Sequence, residues 1–175
     1  MQTTNHKLQT INRIYLIGMM GVGKTTKGKK IAQLLGYLFI DLDREIEKHL
    51  NKNITQIFEE DGEEFFRKTE SEVLQSIKNN HVVIATGGGA PCYFNNMQYI
   101  KNNGISIYLK AKPGLIFQRI SQKPDKRPLL KGMNESEIKA FIDKKIAERE
   151  SYYLQSDHIF EIPAISVESI VNSIL

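Results

Sequence analysis

At 175 residues the chain is long enough for one domain with its own core. Its charged fraction of 25% and apolar fraction of 41% are those of an ordinary soluble globular protein and exclude a disordered or fibrous chain. The net charge of +4 suits an anionic small molecule, a nucleic acid or a plain lysine-rich surface alike, while a single cysteine, Cys92, excludes an intramolecular disulfide and a Cys-based zinc site.

Taken in chain order, Met1 to Thr10 reads as a polar tail without the apolar block of a signal peptide. The apolar run Ile11–Ile17 reads as a buried strand. It leads directly into Gly18-Met-Met-Gly21-Val22-Gly23-Lys24-Thr25-Thr26, and a helix is expected from Lys27 to Leu35. This strand–loop–helix setting is the one in which G-x-x-x-x-G-K-[ST] binds phosphate. Gly18, Gly21 and Gly23 let successive N–H groups converge on phosphate oxygens, Lys24 reaches the β- and γ-phosphates, and the Thr25 hydroxyl can ligate Mg²⁺. The chain therefore binds a nucleoside triphosphate.

A second strand, Tyr37–Asp41, ends in Asp41-Leu42-Asp43. Carboxylates two apart in an extended segment point to the same side, so one can serve a Mg²⁺ ion and the other an acceptor hydroxyl. The competing reading is that Asp43 caps a helix over Arg44–Leu50, and the phosphate loop upstream tips the balance toward chemistry. Residues 43–80 carry helical periodicity and no strand signal, which predicts a small helical cap. Within it Arg67 has Glu70 three residues on, where a carboxylate can hold a guanidinium fork; a surface ion pair of little consequence is the plainer alternative.

The strand Val82–Thr86 runs into Gly87-Gly88-Gly89, bare backbone that a substrate can approach. Ile105–Leu109 is the fourth strand. Residues 121–136, with two prolines, a glycine and several basic side chains, predict a mobile lid carrying Arg127, which can swing over a triphosphate. A charged helix over Glu135–Leu154 carries Arg149, and His158–Ile162 is the fifth strand. Alternating strands and helices predict an α/β domain in three α/β/α layers around a five-stranded parallel sheet, with ligands at the carboxyl ends of the strands. No stretch reaches membrane-spanning length, and no basic helix with interleaved aromatics points to nucleic acid, so a cytoplasmic protein is expected.

Together these motifs resemble shikimate kinase, of the nucleoside-monophosphate-kinase-like group of P-loop kinases, over nearly the whole chain from about Ile14. The resemblance rests on the phosphate loop, Asp41-x-Asp43-x-x-Ile46-Glu47, Gly62-Glu63-x-x-Phe66-Arg67-x-x-Glu70 with Ile57-Phe58 before it, Ala85-Thr86-Gly87-Gly88-Gly89-Ala90, Arg127-Pro128-Leu129-Leu130 and Arg149-x-x-x-Tyr153. It implies one domain over residues 1–175, in which ATP phosphorylates the 3-hydroxyl of shikimate with Mg²⁺ on Thr25 and, through water, Asp41. Arg67 and Arg149 would clamp the substrate carboxylate, Asp43 would bind the hydroxyl and accept its proton, Gly88 and Gly89 would touch the ring hydroxyls, and Phe58 would flank the pocket. Gly21, Val22, Gly23, Lys24, Thr25 and Thr26 would hold the phosphates, Arg119 would stack on adenine, and Lys24 with Arg127 would stabilise the transferring phosphoryl group. ATP and shikimate are the partners implied, with no nucleic acid and no membrane, the chain acting as a monomer. Rival readings are another small-molecule kinase of the group, such as a gluconate kinase, and a non-catalytic nucleotide-binding regulator.

Overall fold

The computed structural model describes residues 11–122 and 128–175. Five strands, β1 (Arg13–Ile17), β2 (Leu38–Asp41), β3 (Val82–Ala85), β4 (Ile105–Ala111) and β5 (His158–Ile162), form one sheet in the order β2-β3-β1-β4-β5. Every pairing is parallel, with Tyr15 opposite Ile84 on one side and Ser106 on the other. The central strands are covered on both faces, which is why they read as unbroken apolar runs: Ile14, Tyr15, Leu16 and Ile17 are all fully buried. The edge strands are more open: β2 is exposed at Leu38 and half-buried thereafter, and β5 alternates toward solvent.

Among the described residues, eight helices complete the layers: α1 (Lys24–Leu35), α2 (Leu42–Leu50), α3 (Ile54–Glu60), α4 (Gly62–Ser76), α5 (Asn96–Asn103), α6 (Pro113–Ile120), α7 (Glu135–Tyr153) and α8 (Val167–Ile174). None is long and apolar enough to cross a membrane among the described residues. Starts are encoded locally where a cap is available. Asn53 with Gln56 and Asn134 with Glu137 close reciprocal capping boxes on α3 and α7, and the Ser166 hydroxyl accepts from the Ser169 N–H on α8. The order of the sheet places the loops: β2, β3 and β1 are neighbours, so the loops after them open at one edge within a few strand widths.

The expected strands are all present, with β1 starting at Arg13 rather than Ile11, β2 at Leu38 rather than Tyr37, β3 ending at Ala85, and β4 running on to Ala111. Two helices start earlier than their apolar periodicity indicates. α1 begins at Lys24, because Gly23 takes a left-handed conformation (φ 97°) that turns the chain directly into the helix. α2 begins at Leu42, so Asp41 is the last strand residue and the helix N-cap, and Asp43 is in the first turn. The segment is therefore not extended throughout, and Asp43 is not the cap. The cap region is helical as expected, built from α2, α3 and α4. Of the expected lid, residues 123–127 lie outside the described residues, as does the tail 1–10. Its second half contains the 3₁₀ turn Pro128–Leu130; Leu130 is fully buried in the core and Lys131 pairs with Glu59 of α3 at 2.9 Å, so this stretch is tied down where its composition suggested a loop free of the core.

Candidate active site

The loop after β1 points the first N–H groups of α1 into a cleft of about 370 Å³. No acidic residue occupies the first turn of α1, so its free N–H groups and positive end are available to an anion. Lys24, only 9% exposed, lies along this loop with its Nζ donating to the carbonyls of Gly18 at 2.6 Å and Met19 at 3.0 Å. Arg119, from the end of α6, donates to the carbonyls of Gly21 (3.2 Å) and Val22 (3.0 Å) on the outer side of the same loop. Thr25 donates its hydroxyl to Asp41 Oδ2 at 2.7 Å. This joins the helix after β1 to the end of β2 across the cleft.

Asp43 lines the same cleft, along with Gly87 and Gly88 from the loop after β3. Crowding by protein raises its carboxyl to about 6; Asp41 adds to the rise and Lys24 opposes it. The side chain remains open to cleft water, so it can meet a ligand. The glycine loop is fixed from below. Thr86 donates to the Leu16 carbonyl at 2.9 Å, and the buried Asn96 reaches from the Ala90 carbonyl (2.9 Å) to the Ser71 hydroxyl on α4 (2.7 Å).

Arg67 and Arg149 stand at the Gly88–Gly89 end of the cleft. Both are buried, at 5% and 4% exposure. A Cβ on Gly89 would come within 2.7 Å of the Arg67 guanidinium carbon, and one on Gly88 within 3.3 Å of Arg149 Nη1, so bare backbone is needed here for the cations to approach. Arg67 is held on every side: Nη1 donates to Glu70 Oε2 at 2.8 Å, Nε and Nη2 donate to Glu63 Oε1 at 3.2 and 3.0 Å, and the Phe66 and Tyr93 rings lie 5.0 and 4.8 Å from its guanidinium carbon. Burial would lower its pKa, and the two carboxylates more than offset that. Glu70 is fully buried; burial lifts its carboxyl to about 7 against the pull of Arg67, and its Oε1 has no hydrogen-bond partner among the described residues. Gly87 separates that oxygen from Asp43, since a Cβ there would collide with Glu70 Oε1 and lie 3.2 Å from Asp43 Oδ1. Phe58 packs on Phe66, ring centroids 4.7 Å apart, within the cap.

The structure thus gathers Gly21, Gly23, Lys24, Thr25, Thr26, Asp41, Asp43, Gly88 and Arg119 around one cleft, with Gly89, Arg67 and Arg149 at its end. Val22 is buried beneath the loop, Phe58 stands back in the cap, and Arg127 lies outside the described residues. Glu63, four residues before Arg67 on one helix face, was detectable from spacing. Tyr153, four residues after Arg149 on one helix, was detectable in the same way, whereas Tyr93 beside Arg67 and Met19 beside Arg149 carry no local signal.

The family model for shikimate kinase matches residues 20–175. A shikimate kinase of Azobacteroides pseudotrichonymphae is 41% identical, covering 94% of this chain and 98% of its own. A crystal structure of shikimate kinase from Bacteroides thetaiotaomicron superposes with a TM-score of 0.85 at 37% identity, over 94% of this chain and 96% of that one. The Acinetobacter baumannii shikimate kinase, solved in complex with shikimate, gives 0.85 at 35%, over 94% and 91%. A gluconokinase of Sinorhizobium meliloti, at 16% identity and a TM-score of 0.54, shares the fold alone.

Proposed function

The chain belongs to the shikimate kinase family, and on that footing we propose how its residues carry a phosphoryl group from ATP to the 3-hydroxyl of shikimate, on the route to chorismate and the aromatic amino acids. One observation carries the reading: a carboxylate, Asp43, lies between the phosphate loop and two buried arginines. An acceptor held there by its own carboxylate presents a hydroxyl to Asp43 on the side facing the triphosphate.

The phosphates bind the N–H groups of residues 21–26, and Lys24 exchanges the Gly18 and Met19 carbonyls for phosphate oxygens. Arg67 and Arg149 clamp the shikimate carboxylate, the backbone of Gly88 and Gly89 meets the ring hydroxyls, and Phe58 closes the pocket from the cap. Asp43 accepts a hydrogen bond from the 3-hydroxyl and takes its proton as the oxygen bonds to the γ-phosphorus and the β–γ bridge breaks, releasing ADP. A carboxyl near 6 is mostly ionised at neutral pH yet more basic than an ordinary aspartate, which suits the task. Lys24 and Arg127 stabilise charge on the transferring group, and Arg119 supports adenine from its place on the loop.

Thr25 and Asp41 form a hard-oxygen donor pair, already 2.7 Å apart, that fits Mg²⁺, an ion usually held by one or two protein oxygens plus phosphates and water. When bound, the ion would neutralise charge on the β- and γ-phosphates. All the groups in this scheme come from one chain, so the proposed working unit is a monomer, and the proposed place of action is the cytoplasm. The test is ADP release on mixing the purified protein with ATP, Mg²⁺ and shikimate, with ³¹P NMR of the product; turnover with gluconate and none with shikimate would overturn the reading.

A further inference from the structure

The two arginines are held in opposite ways. Arg67 is flanked by two carboxylates, whereas Arg149 forms no ion pair with a carboxylate among the described residues. Its Nη1 lies 3.8 Å from the sulfur of Met19, in the phosphate loop. That sulfur is also 3.7 Å from the hydroxyl of Tyr153, one helical turn beyond Arg149 on α7. Tyr153 is fully buried, its ring is tilted against Tyr108 with centroids 5.0 Å apart, and its hydroxyl donates to the Gly88 carbonyl. A hydroxyl has one proton, and the carbonyl takes it. The Met19 sulfur, which Tyr153 and Arg149 both approach, is thereby left to accept from the guanidinium. Burial raises the Tyr153 hydroxyl's pKa strongly, and the adjacent Arg149 is the largest influence lowering it.

We propose that Tyr153 and Met19 form a neutral cradle that fixes Arg149 against the glycine loop while leaving its positive charge uncancelled for the substrate carboxylate. Both are positioning residues: neither touches the reacting atoms. A carboxylate in the same place would hold the guanidinium as firmly, but would cancel the charge that attracts an acid. The arrangement also links the two halves of the site. The Met19 carbonyl accepts from Lys24 while its side chain meets Arg149, and the Gly88 carbonyl that Tyr153 holds is on the loop lining the cleft. One residue of the phosphate loop thus touches both the phosphate-binding lysine and the carboxylate-binding arginine.

The inference rests on the clamp proposed for Arg67 and Arg149, and the experiment separates the two. Calorimetry compares binding of shikimate and of its uncharged methyl ester to wild type, Tyr153→Phe and Met19→Leu. Tyr153→Phe keeps the ring on Tyr108 and removes only the hydroxyl. The expected result is a loss of roughly tenfold in shikimate affinity with the ester changed less than about twofold, so that preference for the acid narrows. Met19→Leu should show the same narrowing to a smaller degree. Equal weakening of acid and ester, or no change in either, overturns the cradle. If Tyr153→Phe does not fold, the acid-to-ester ratio in Met19→Leu decides alone. Failure of the wild-type protein to bind shikimate would instead overturn the clamp itself.

Discussion

The nucleotide side and the acceptor side of the cleft hold their cations by different means. Lys24 and Arg119 rest on main-chain carbonyls of Gly18, Met19, Gly21 and Val22, neutral partners that position a cation without reducing its charge. Arg67 rests on two carboxylates, one of them fully buried. A triphosphate carries several charges and needs all the positive potential the loop can offer. A monocarboxylate needs a fork held at a fixed angle, and Glu63 and Glu70 fix it even though they cancel much of its charge. The nucleotide side therefore works by field strength, while the acceptor side adds, beside the neutrally held Arg149, a second arginine whose work is orientation.

The largest test of that division is on the chemistry between them. Asp43→Asn should lower kcat by about 10²–10⁴-fold while shikimate still binds, measured by steady-state kinetics beside calorimetry. A loss of binding in step with kcat would make Asp43 a mere anchor. Next in size, Arg67→Ala should cost roughly 2–5 kcal/mol of shikimate binding and leave the Michaelis constant for ATP alone. A matching rise for ATP would mean that the two sides are one electrostatic unit and would break the comparison.

Glu70 sharpens it through pH. Its carboxyl is raised from 4.5 to about 7 in the folded chain, so the native state holds that proton more tightly than the unfolded one. The corresponding stability is fully present below pH 4.5 and is lost as pH rises through about 7. Glu70→Gln keeps the neutral shape without titrating. Its Tm relative to wild type should therefore climb between about pH 5 and about pH 8 in the absence of ligands. A pH-independent difference would show that Arg67 keeps Glu70 ionised throughout. Smallest of all, Asn53→Ala removes the cap of α3 and should cost about 1 kcal/mol of stability by chemical denaturation, with little effect on catalysis. A large catalytic loss there would mean that cap stability and substrate orientation are inseparable.

What the sequence disclosed depends on the range of the interactions. Gly21, Gly23, Lys24 and Thr25 are contiguous, and their chemistry depends on one strand–turn–helix, so they could be read directly. The three central strands, β1, β3 and β4, were legible because buried parallel strands are uninterrupted apolar runs. Asp41 and Asp43 were matched to one cleft by strand alternation, yet they share it because the chain changes from strand to helix between them. No local pattern joins Met19 to Arg149, which are 130 residues apart and meet only because β1 is central and α7 packs back over its end. Burial hid Glu70's raised pKa in the same way: its i, i+3 spacing to Arg67 predicts an ion pair, while the absence of solvent is a property of the packed molecule.

Gly87 is a single rung of main chain with an acid on either side, Asp43 toward the cleft and Glu70 toward the interior. Adding even a methyl group at that rung would shove one carboxyl into its neighbours and crowd the other, disturbing proton acceptance and arginine alignment in one stroke. A larger residue could enter here only by displacing Glu70, so the spacing between the acid of the cleft and the acid that holds Arg67 is set by the thickness of a peptide backbone.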